Sequence, residues 1–305
     1  MPSTLFGAEI ITDKIKAKPF LKWAGGKGQL LGEIERRLPE KLINGQIDTY
    51  IEPFVGGGAV FFHIAQNYPW LKHFYLFDIN EDLVNCYNEI KNNVKSLIKQ
   101  LQLLEKRFLP LDKEGRKHFF YKTRTKFNRD RQSAKLIFLN KTCYNGLYRV
   151  NRKGEFNVPF GDYKSPNICD AKNILSVASI LKRAEIICGD FTESYRCINE
   201  NTFVYFDPPY RPLSATASFT SYSKEDFSHE DQVRLANFCK QIKKQGARLL
   251  LSNSDPKNEN PKDYFFENNY PEIEGFTIER VKASRAINCK GHMRGPIYEL
   301  IITSY

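Results

Sequence analysis

The feature that most constrains the fold is a strand, a turn, a helix and a second strand in succession, with three consecutive glycines in the turn. Thr49 to Glu52 is predicted to be the first strand, Pro53 to Gly58 the turn and Ala59 to Gln66 the helix. The second strand, His73 to Phe77, ends on Asp78. Glycine lets a backbone turn sharply and approach a neighbour closely. Because a helical crossover joins parallel strands, this unit predicts an α/β sheet.

Apolar runs in the second half of the chain continue this alternation. Gln232 to Lys244 has helical periodicity, and Phe276 to Val281 is predicted to pair antiparallel with Ile297 to Thr303. Three further runs are predicted to be strands, namely Glu185 to Cys188, Thr202 to Phe206 and Ala247 to Leu251. The pattern as a whole predicts a Rossmann-like, doubly wound mixed sheet.

A basic, mostly helical segment interrupts this sheet. We assign residues 86–172 to an inserted domain and residues 1–85 and 173–305 to the sheet domain. Between Lys91 and Ser165 there are 19 Lys or Arg against 6 Asp or Glu, a net charge of +13, whereas the whole chain carries +11. Such a regional excess suits a polyanion, because each neutralised phosphate releases counterions. A solvated helical surface is the alternative, and charge favours nucleic acid only modestly.

Other features limit the class of protein. No apolar run is long enough to span a membrane and the N-terminus carries no secretory segment, so we expect a cytoplasmic protein that does not bind membranes. The first eighteen residues are polar and are expected to form an arm. The seven cysteines contain no Cys-x-x-Cys pair and no His at ligand spacing, so we expect free thiols and no metal site. They are Cys86, Cys143, Cys169, Cys188, Cys197, Cys239 and Cys289.

A candidate ligand crevice lies at the first crossover. Gly56 and Gly58 allow close approach of a ligand, and Asp78, twenty residues after Gly58, can accept hydrogen bonds from ribose hydroxyls. Phe61 stands where the dinucleotide pattern has its third glycine, which favours a nucleoside ligand without a pyrophosphate. A tight turn with no ligand is the alternative.

A second glycine-rich stretch, Trp23 to Gly28, lacks the spacing of an ATP-binding phosphate loop. Lys27 can instead pair with a carboxylate, such as that of a methionine moiety, with Trp23 packed beside it. A helix cap with a surface lysine explains these residues equally well until other motifs are considered.

The strand that ends at Phe206 is followed by Asp207-Pro208-Pro209-Tyr210, at the edge where open α/β sheets bind ligands. The prolines fix the backbone and remove two N–H donors. The Asp207 carboxylate and the Pro208 carbonyl then match the two N–H donors of an exocyclic amino group. Tyr210 adds a flat face for stacking a base. A rigid surface turn is the alternative for the tetrapeptide alone, but the strand before it and the glycine crossover favour a site.

Together these motifs resemble the Dam/DpnM family of DNA adenine-N6 methyltransferases (D12 class, α motif order). The resemblance runs from about residue 19 to 305 and is carried by Phe20 to Lys27, Glu52 to Gly58, Asp78 to Asn80 and Asp207 to Tyr210, in the family's order. It implies the class I methyltransferase fold and methyl transfer from S-adenosyl-L-methionine to a flipped-out adenine of duplex DNA. The implied catalytic residues are Asp207, Pro208 and Tyr210. The implied cofactor residues are Trp23, Lys27, Phe54, Gly56, Gly58, Asp78 and Asp207, with Asp190 at the adenine end.

By the same resemblance, the insert would be the target-recognition domain. Residues 144–161 are similar to the hairpin by which Dam-type enzymes read GATC. Arg149 would contact a guanine edge, and Lys22 would serve the first guanine. Leu147 and Pro159 would make apolar contacts with the base steps. The implied DNA contacts are Lys22, Tyr144, Asn145, Leu147, Arg149 and Pro159.

Two further segments bear on this resemblance. Pro212 to Tyr222 resembles the family's Ser/Thr-rich loop beside the flipped base. Asp162 departs from the pattern, which has a basic residue after Gly161, so a phosphate contact is not expected at that point.

Other functions fit parts of the sequence. An N-methyltransferase for RNA or a protein amide shares related tetrapeptides, but the basic insert argues against it. A catalytically silent DNA-binding module would not need Asp207, Tyr210 and Lys27 intact. A dinucleotide oxidoreductase would need the missing glycine and a His or Tyr at the hydride site. The sequence leaves open whether such an enzyme works alone or with a paired restriction endonuclease.

Overall fold

A central mixed sheet organises the computed structural model, which describes residues 16–211, 227–283 and 297–305. The strands lie in the order β3-β2-β1-β4-β5-β7-β6, and β7 runs antiparallel to both of its neighbours. The predicted α/β, doubly wound mixed sheet is therefore confirmed. The strands are β1 Thr49–Glu52, β2 His73–Asp78, β3 Ala184–Cys188, β4 Thr202–Phe206, β5 Arg248–Ser254, β6 Thr277–Ala283 and β7 Ile297–Thr303.

Helices pack on both faces of this sheet. In the described ranges they are α1 Leu31–Glu35, α2 Glu40–Ile43, α3 Ala59–Asn67, α4 Glu81–Phe108, α5 Lys113–Asp130, α6 Ser133–Thr142, α7 Ala171–Leu181, α8 His229–Lys244 and α9 Phe265–Asn269. Short 3₁₀ helices occur at Lys27–Gln29, Tyr144–Gly146, Phe191–Cys197, Pro256–Asn258 and Glu272–Glu274. None of the helices within these ranges is both long and apolar enough to cross a bilayer.

The buried apolar side chains of the described residues form two hydrophobic cores, one on each face of the sheet. Tyr50 and Phe203 belong to one core, and their chain neighbours Ile51 and Val204 belong to the other. This is the alternation that a strand covered on both faces requires. The first core packs under α3, α4 and α7 and continues into the helices of the insert, whereas α8 and α9 cover the second.

The long helix α4 joins the sheet to the insert. It begins after Asn80, whose side chain accepts a hydrogen bond from the Leu83 N–H at 3.0 Å. The predicted boundary between residues 85 and 86 lies inside this helix. Leu97 and Leu101, further along it, are fully buried in the core shared with the sheet. The division into two domains stays a prediction, and the two parts are packed as one body around α4.

A hairpin closes the insert. Val150 pairs antiparallel with Phe156, and Cys143 pairs with Phe160. Gly154 has φ +75°, in the left-handed region that glycine favours. The hairpin turn predicted at residues 152–154 is thus present.

Candidate active site

The carboxyl ends of the parallel strands open onto one cavity of about 970 Å³. Ligand pockets in proteins measure roughly 300–1,000 Å³, so this one can hold a ligand larger than a single base. It brings together every residue predicted to be catalytic or to bind the cofactor. These are Trp23, Lys27, Phe54, Gly56, Gly58, Asp78, Asp190, Asp207, Pro208 and Tyr210.

The turn after β1 depends on its glycines. Gly56 has φ +48° and Gly58 has φ +73°, both in the left-handed region. A Cβ at Gly56 would lie 3.0 Å from Cδ1 of Trp23, and a Cβ at Gly58 would lie 2.5 Å from Oη of Tyr87. The Tyr87 hydroxyl also donates to the Gly56 carbonyl at 3.0 Å. The turn is therefore packed tightly on its protein side, and its small residues leave its other side open to the cavity.

Asp78, at the end of β2, braces this turn. Its Oδ2 accepts the Gly56 N–H at 3.0 Å, and its Oδ1 accepts the Asn80 N–H at 2.9 Å. A carboxylate oxygen can accept more than one hydrogen bond. Asp78 can therefore hold the turn and also accept hydrogen bonds from ligand hydroxyls.

A cluster of three polar side chains lies at the end of β4. Lys27 Nζ is 2.6 Å from Asp207 Oδ1 and donates to Tyr210 Oη at 3.2 Å and to the Gly25 carbonyl at 3.1 Å. The Lys27 side chain is 4% exposed and that of Asp207 is 19% exposed. The sequence allowed Lys27 to pair with a carboxylate of the ligand, and in the structure its carboxylate partner is Asp207.

Burial and charge set the protonation of this cluster. Burial raises the pKa of Asp207 to about 6, and the neighbouring Lys27 ammonium opposes a larger rise. Burial is the largest influence on the pKa of Lys27 and lowers it, but Asp207, Tyr210 and Glu299 together outweigh burial and raise that pKa overall. Burial raises the pKa of Tyr210 to about 12. At neutral pH the cluster therefore contains a carboxylate, an ammonium and a neutral phenol.

The Asp207–Tyr210 loop is held by residues that sequence reasoning missed. Gln232 on α8 is 1% exposed and donates to the Pro209 carbonyl at 2.8 Å. Ser252 on β5 donates to Asp207 Oδ1 at 3.4 Å. Both come from elements far along the chain, and no local pattern in the sequence marks them.

Glu52, at the end of β1, is a second acid that the sequence did not single out. It is 2% exposed at the floor of the cavity and accepts a hydrogen bond from the Tyr50 hydroxyl at 2.6 Å. Burial raises the pKa of Glu52 well above its ordinary value. The signal that could have marked it is its place at the start of the stretch Glu52 to Gly58.

Asp190 closes the opposite end of the cavity. It forms a bidentate ion pair with Arg234, at 2.8 and 2.9 Å. The Arg234 guanidinium lies 4.4 Å from the centre of the Phe191 ring, which in turn lies 5.6 Å from the Phe54 ring. This end therefore combines two aromatic rings with a carboxylate that already holds a guanidinium.

The predicted DNA-contacting side chains are all solvent-exposed. Tyr144 is 55% exposed and Leu147 is 39% exposed. Arg149 is oriented by its Nε, which donates to Asn157 Oδ1 at 2.7 Å. The exposed set is Lys22, Tyr144, Asn145, Leu147, Arg149 and Pro159. The structure places these residues where a partner can reach them.

A partly buried network attaches the hairpin to the cavity. The ring of Tyr148 stacks on Trp23, with centroids 5.2 Å apart and planes 27° apart. Its hydroxyl donates to Asp82 at 2.7 Å, and Arg131 donates to the same carboxylate oxygen at 2.9 Å. Trp23 therefore contacts the glycine turn on one side and the hairpin on the other.

The remaining sequence predictions have simple outcomes. Asp162, the departure from the family pattern, forms an ion pair with Lys113 at 2.5 Å. Within the described ranges, no three His, Cys, Asp or Glu side chains group closely enough to hold a metal ion. The segment Pro212 to Tyr222 and the thiol of Cys289 lie outside the described residues.

Comparison with known proteins identifies relatives along most of the chain. The family model for D12 class N6 adenine-specific DNA methyltransferases matches residues 23–287. The type II methyltransferase M.MjaIII of Methanocaldococcus jannaschii is 52% identical over 299 residues, which cover 95% of this chain and 100% of that protein. A DNA adenine methylase of Vibrio cholerae is 35% identical and covers 94% of this chain and 95% of its own. The DNA adenine methylase of Escherichia coli is 36% identical, and the match covers 79% of this chain and 82% of that protein.

The family match contains both glycine-rich stretches, the braced turn with Asp78 and the Asp207–Tyr210 loop. The mixed sheet, with seven strands in the described part of the chain, agrees with a class I methyltransferase fold. The predictions that this protein is an enzyme and that it resembles the adenine-N6 methyltransferases are thereby confirmed. The chain belongs to the D12 class of N6 adenine-specific DNA methyltransferases.

Proposed function

We propose that this DNA adenine methyltransferase takes its methyl group from S-adenosyl-L-methionine and transfers it to an adenine that has rotated out of duplex DNA, within GATC. The observation that carries the proposal is the cluster of Lys27, Asp207 and Tyr210 at the end of a cavity with a braced glycine turn. The cluster suits an amino group, and the cavity suits a nucleoside.

The chemistry of the cavity fits S-adenosyl-L-methionine. Asp78 offers its carboxylate to ribose hydroxyls, and Phe54 and Phe191 offer aromatic faces to the adenine end. Phe61, fully buried in α3, stands where a dinucleotide site needs its third glycine. Trp23 lies over the glycine turn at the other end. When bound, the cofactor supplies a methyl group on a positively charged sulfur.

Asp207 and Pro208 are assigned to hold the adenine amino group. The contacts of Asp207 with Lys27 and Ser252 both use Oδ1, so we assign Oδ2 to one amino N–H. The Pro208 carbonyl accepts the other. Two acceptors on the two N–H groups orient the nitrogen lone pair toward the cavity, so that rate enhancement comes from positioning and charge stabilisation.

The remaining two members of the cluster support this geometry. Lys27 keeps Asp207 charged and in place through the 2.6 Å ion pair. Tyr210 is 41% exposed and neutral at pH 7, so its ring offers a face on which an extrahelical base can stack. An adenine inside a duplex is paired and stacked, and its amino group reaches such a site only after the base rotates out.

The target-recognition role is assigned to residues 86–172. Their excess of Lys and Arg suits the phosphate backbone. The exposed Arg149, oriented by Asn157, suits bidentate recognition of guanine. The GATC assignment rests on the likeness of residues 144–161 to the hairpin of Dam-type enzymes.

Plasmid DNA tests this proposal directly. After treatment with the enzyme and labelled S-adenosyl-L-methionine, we expect DNA that resists a nuclease blocked by methylated GATC and is cut by a nuclease that requires it. Full cutting by the blocked nuclease, with label present elsewhere in the DNA, would overturn GATC and leave adenine methylation standing. Label that enters structured RNA or a peptide in preference to duplex DNA would overturn the substrate assignment.

We further propose that the enzyme protects DNA from a paired restriction endonuclease and does not act as a solitary methylase. Two of its relatives, at 52% and 37% identity, are named type II methyltransferases. We expect a nuclease encoded beside this gene to cut the unmethylated plasmid and to spare the treated one. The absence of such an activity would favour a solitary methylase.

A further inference from the structure

Three amide side chains hold the segment that leads into Trp23. Each one bonds to both the backbone N–H and the backbone carbonyl of a single residue, as a neighbouring strand would. Gln66 holds Ala17 at 2.7 and 3.1 Å, Asn173 holds Lys18 at 2.9 and 3.0 Å, and Asn140 holds Lys22 at 2.9 Å in both bonds. A side-chain amide can do this because it carries an acceptor and two donors on one planar group.

Asn140 differs from the other two in what it joins. It lies on α6, is 1% exposed, and uses Nδ2 a second time to donate to the Gly146 carbonyl at 2.8 Å. Gly146 belongs to the turn that carries Tyr144, Asn145 and Leu147. The same amide group therefore bonds to Lys22 and to the hairpin turn, which are more than 100 residues apart in the chain.

The two segments that Asn140 joins are also in close contact. Gly146 has φ +64°, and a Cβ built on it would lie 2.8 Å from Cβ of Lys22. Such a distance is shorter than side chains tolerate. The backbone of the turn can lie against Lys22 only because residue 146 has no side chain.

We propose that Asn140 is a positioning residue for sequence recognition. It holds Lys22 and the Tyr144–Arg149 turn at a constant separation, so that the two present themselves to neighbouring bases as one rigid unit. The inference rests on the proposed function, in which Lys22 and the turn contact DNA. Base discrimination depends on side chains that are held in place before binding, and a shift of about 1 Å at such a site costs as much as 100-fold.

Two matched variants test this role. Asn140→Asp keeps the acceptor for the Lys22 N–H but places a carboxylate against the carbonyls of Lys22 and Gly146. Asn173→Asp makes the same chemical change against Lys18 and touches no hairpin residue. For both, the methylated adenines of a plasmid are mapped, and kcat/KM is measured on the wild-type site and on a duplex with one base pair of that site replaced. The melting temperature and the affinity for S-adenosyl-L-homocysteine report on the fold and the cofactor cavity.

We expect Asn140→Asp to lower the ratio of the two kcat/KM values by about 10- to 100-fold with the affinity for S-adenosyl-L-homocysteine unchanged. Asn173→Asp should keep the ratio. Equal loss of activity on both duplexes in Asn140→Asp, with the ratio intact, would show a merely structural role and overturn the proposal. Equal loss of the ratio in both variants would overturn it too.

Gly146→Ala is the second probe, and it decides the question if Asn140→Asp does not fold. It leaves the Asn140 amide in place and forces the turn away from Lys22. We expect Gly146→Ala to lower the ratio of kcat/KM on the wild-type site to kcat/KM on the altered duplex as Asn140→Asp does. A wild-type value of this ratio in Gly146→Ala would overturn the proposal. Because the comparison uses the site that the wild type itself methylates, a wild-type site other than GATC would remove only the GATC assignment.

Discussion

Asp207 is a partly buried acid, and both of its carboxyl oxygens are available purely as hydrogen-bond acceptors only when it is ionised. Burial raises its pKa to about 6, and Lys27 opposes a larger rise. A carboxyl whose pKa is raised on folding contributes stability that is present below its ordinary pKa of 3.8 and is lost as pH rises through about 6. Near neutral pH, the ionised Asp207 therefore opposes folding, which is a common property of groups retained for function.

The first prediction concerns pH. We expect kcat/KM to fall on the acid side of about pH 6, because protonated Asp207 offers a donor where the amino group needs an acceptor. In Lys27→Gln the acid limb should move to higher pH, since the positive charge that favours the carboxylate is gone. Initial rates across the pH range check both. An acid limb that stays in place in Lys27→Gln would contradict the assignment of the limb to Asp207.

The residues that sequence predicted belong to continuous motifs. Lys27, Asp78 and Asp207 each stand in a short stretch whose spacing carries a chemical meaning. Gln232 and Ser252 contact the same loop from α8 and β5, and no spacing in the chain links them to it. Side chains that reach a site from distant elements belong to no short sequence motif. Their role can therefore be recognised only in the three-dimensional structure.

At the scale of the element, the turn between β1 and α3 is constrained by both its backbone conformation and its packing. Gly58 combines a left-handed backbone with a Cβ position only 2.5 Å from Oη of Tyr87. We expect Gly58→Ala to lower the free energy of unfolding by about 1–3 kcal/mol or more, from backbone strain and from displacement of Tyr87.

Urea unfolding of Gly58→Ala beside Gly28→Ala measures this cost. Gly28 lacks a left-handed φ, and a Cβ there would meet no atom within 4 Å, so its alanine variant should unfold near the wild-type midpoint. Equal midpoints for the two variants would mean that the Gly58 turn is not strained by a side chain.

Sequence patterns do not locate every helix boundary in this chain. The helical pattern from Glu81 to about Lys141 is divided into α4, α5 and α6. Pro110 marks the first break in the sequence itself. The second break is at Arg131, a non-glycine residue with φ +49°, whose guanidinium pairs with Asp82 and donates to the Gly154 carbonyl. Tertiary contacts hold that conformation, and no helix-stop residue signals it.

At the scale of the whole molecule, the charge distribution separates the insert from the sheet, whereas the packing of the hydrophobic core does not. The basic excess marks residues 91–165 as a separate region, and the sequence prediction of an inserted domain rests on that charge and on the helical pattern that interrupts the α/β alternation. The core does not divide there, because α4 carries buried leucines from the sheet into the insert. The DNA-binding role of the insert stays a prediction from composition, whereas the continuity of the core became visible only in the structure.

The regional charge predicts a steep salt dependence of DNA binding. Arg152 and Lys153 are exposed at the tip of the hairpin, and we expect the double change to Gln to weaken binding and to flatten the slope of log K against log salt. Each lost phosphate contact should remove about 0.9 from that slope. Lys262, exposed outside the insert, is the matched control, and Lys262→Gln should leave the slope unchanged. Equal slopes for all three proteins would place the DNA away from the hairpin.

The central claim is that Asp207 holds the adenine amino group during methyl transfer from S-adenosyl-L-methionine. The most direct test is the single-turnover rate of N6-methyladenine formation in duplex DNA by wild type, Asp207→Asn and Asp255→Asn. Asp255 is a buried carboxylate ion-paired with Arg280 at 2.7 Å, and it controls for the loss of a buried charge. We predict that Asp207→Asn, folded by circular dichroism, loses about 100- to 1,000-fold in rate while Asp255→Asn stays near wild type. A folded Asp207→Asn enzyme that forms N6-methyladenine at the wild-type rate would contradict the account.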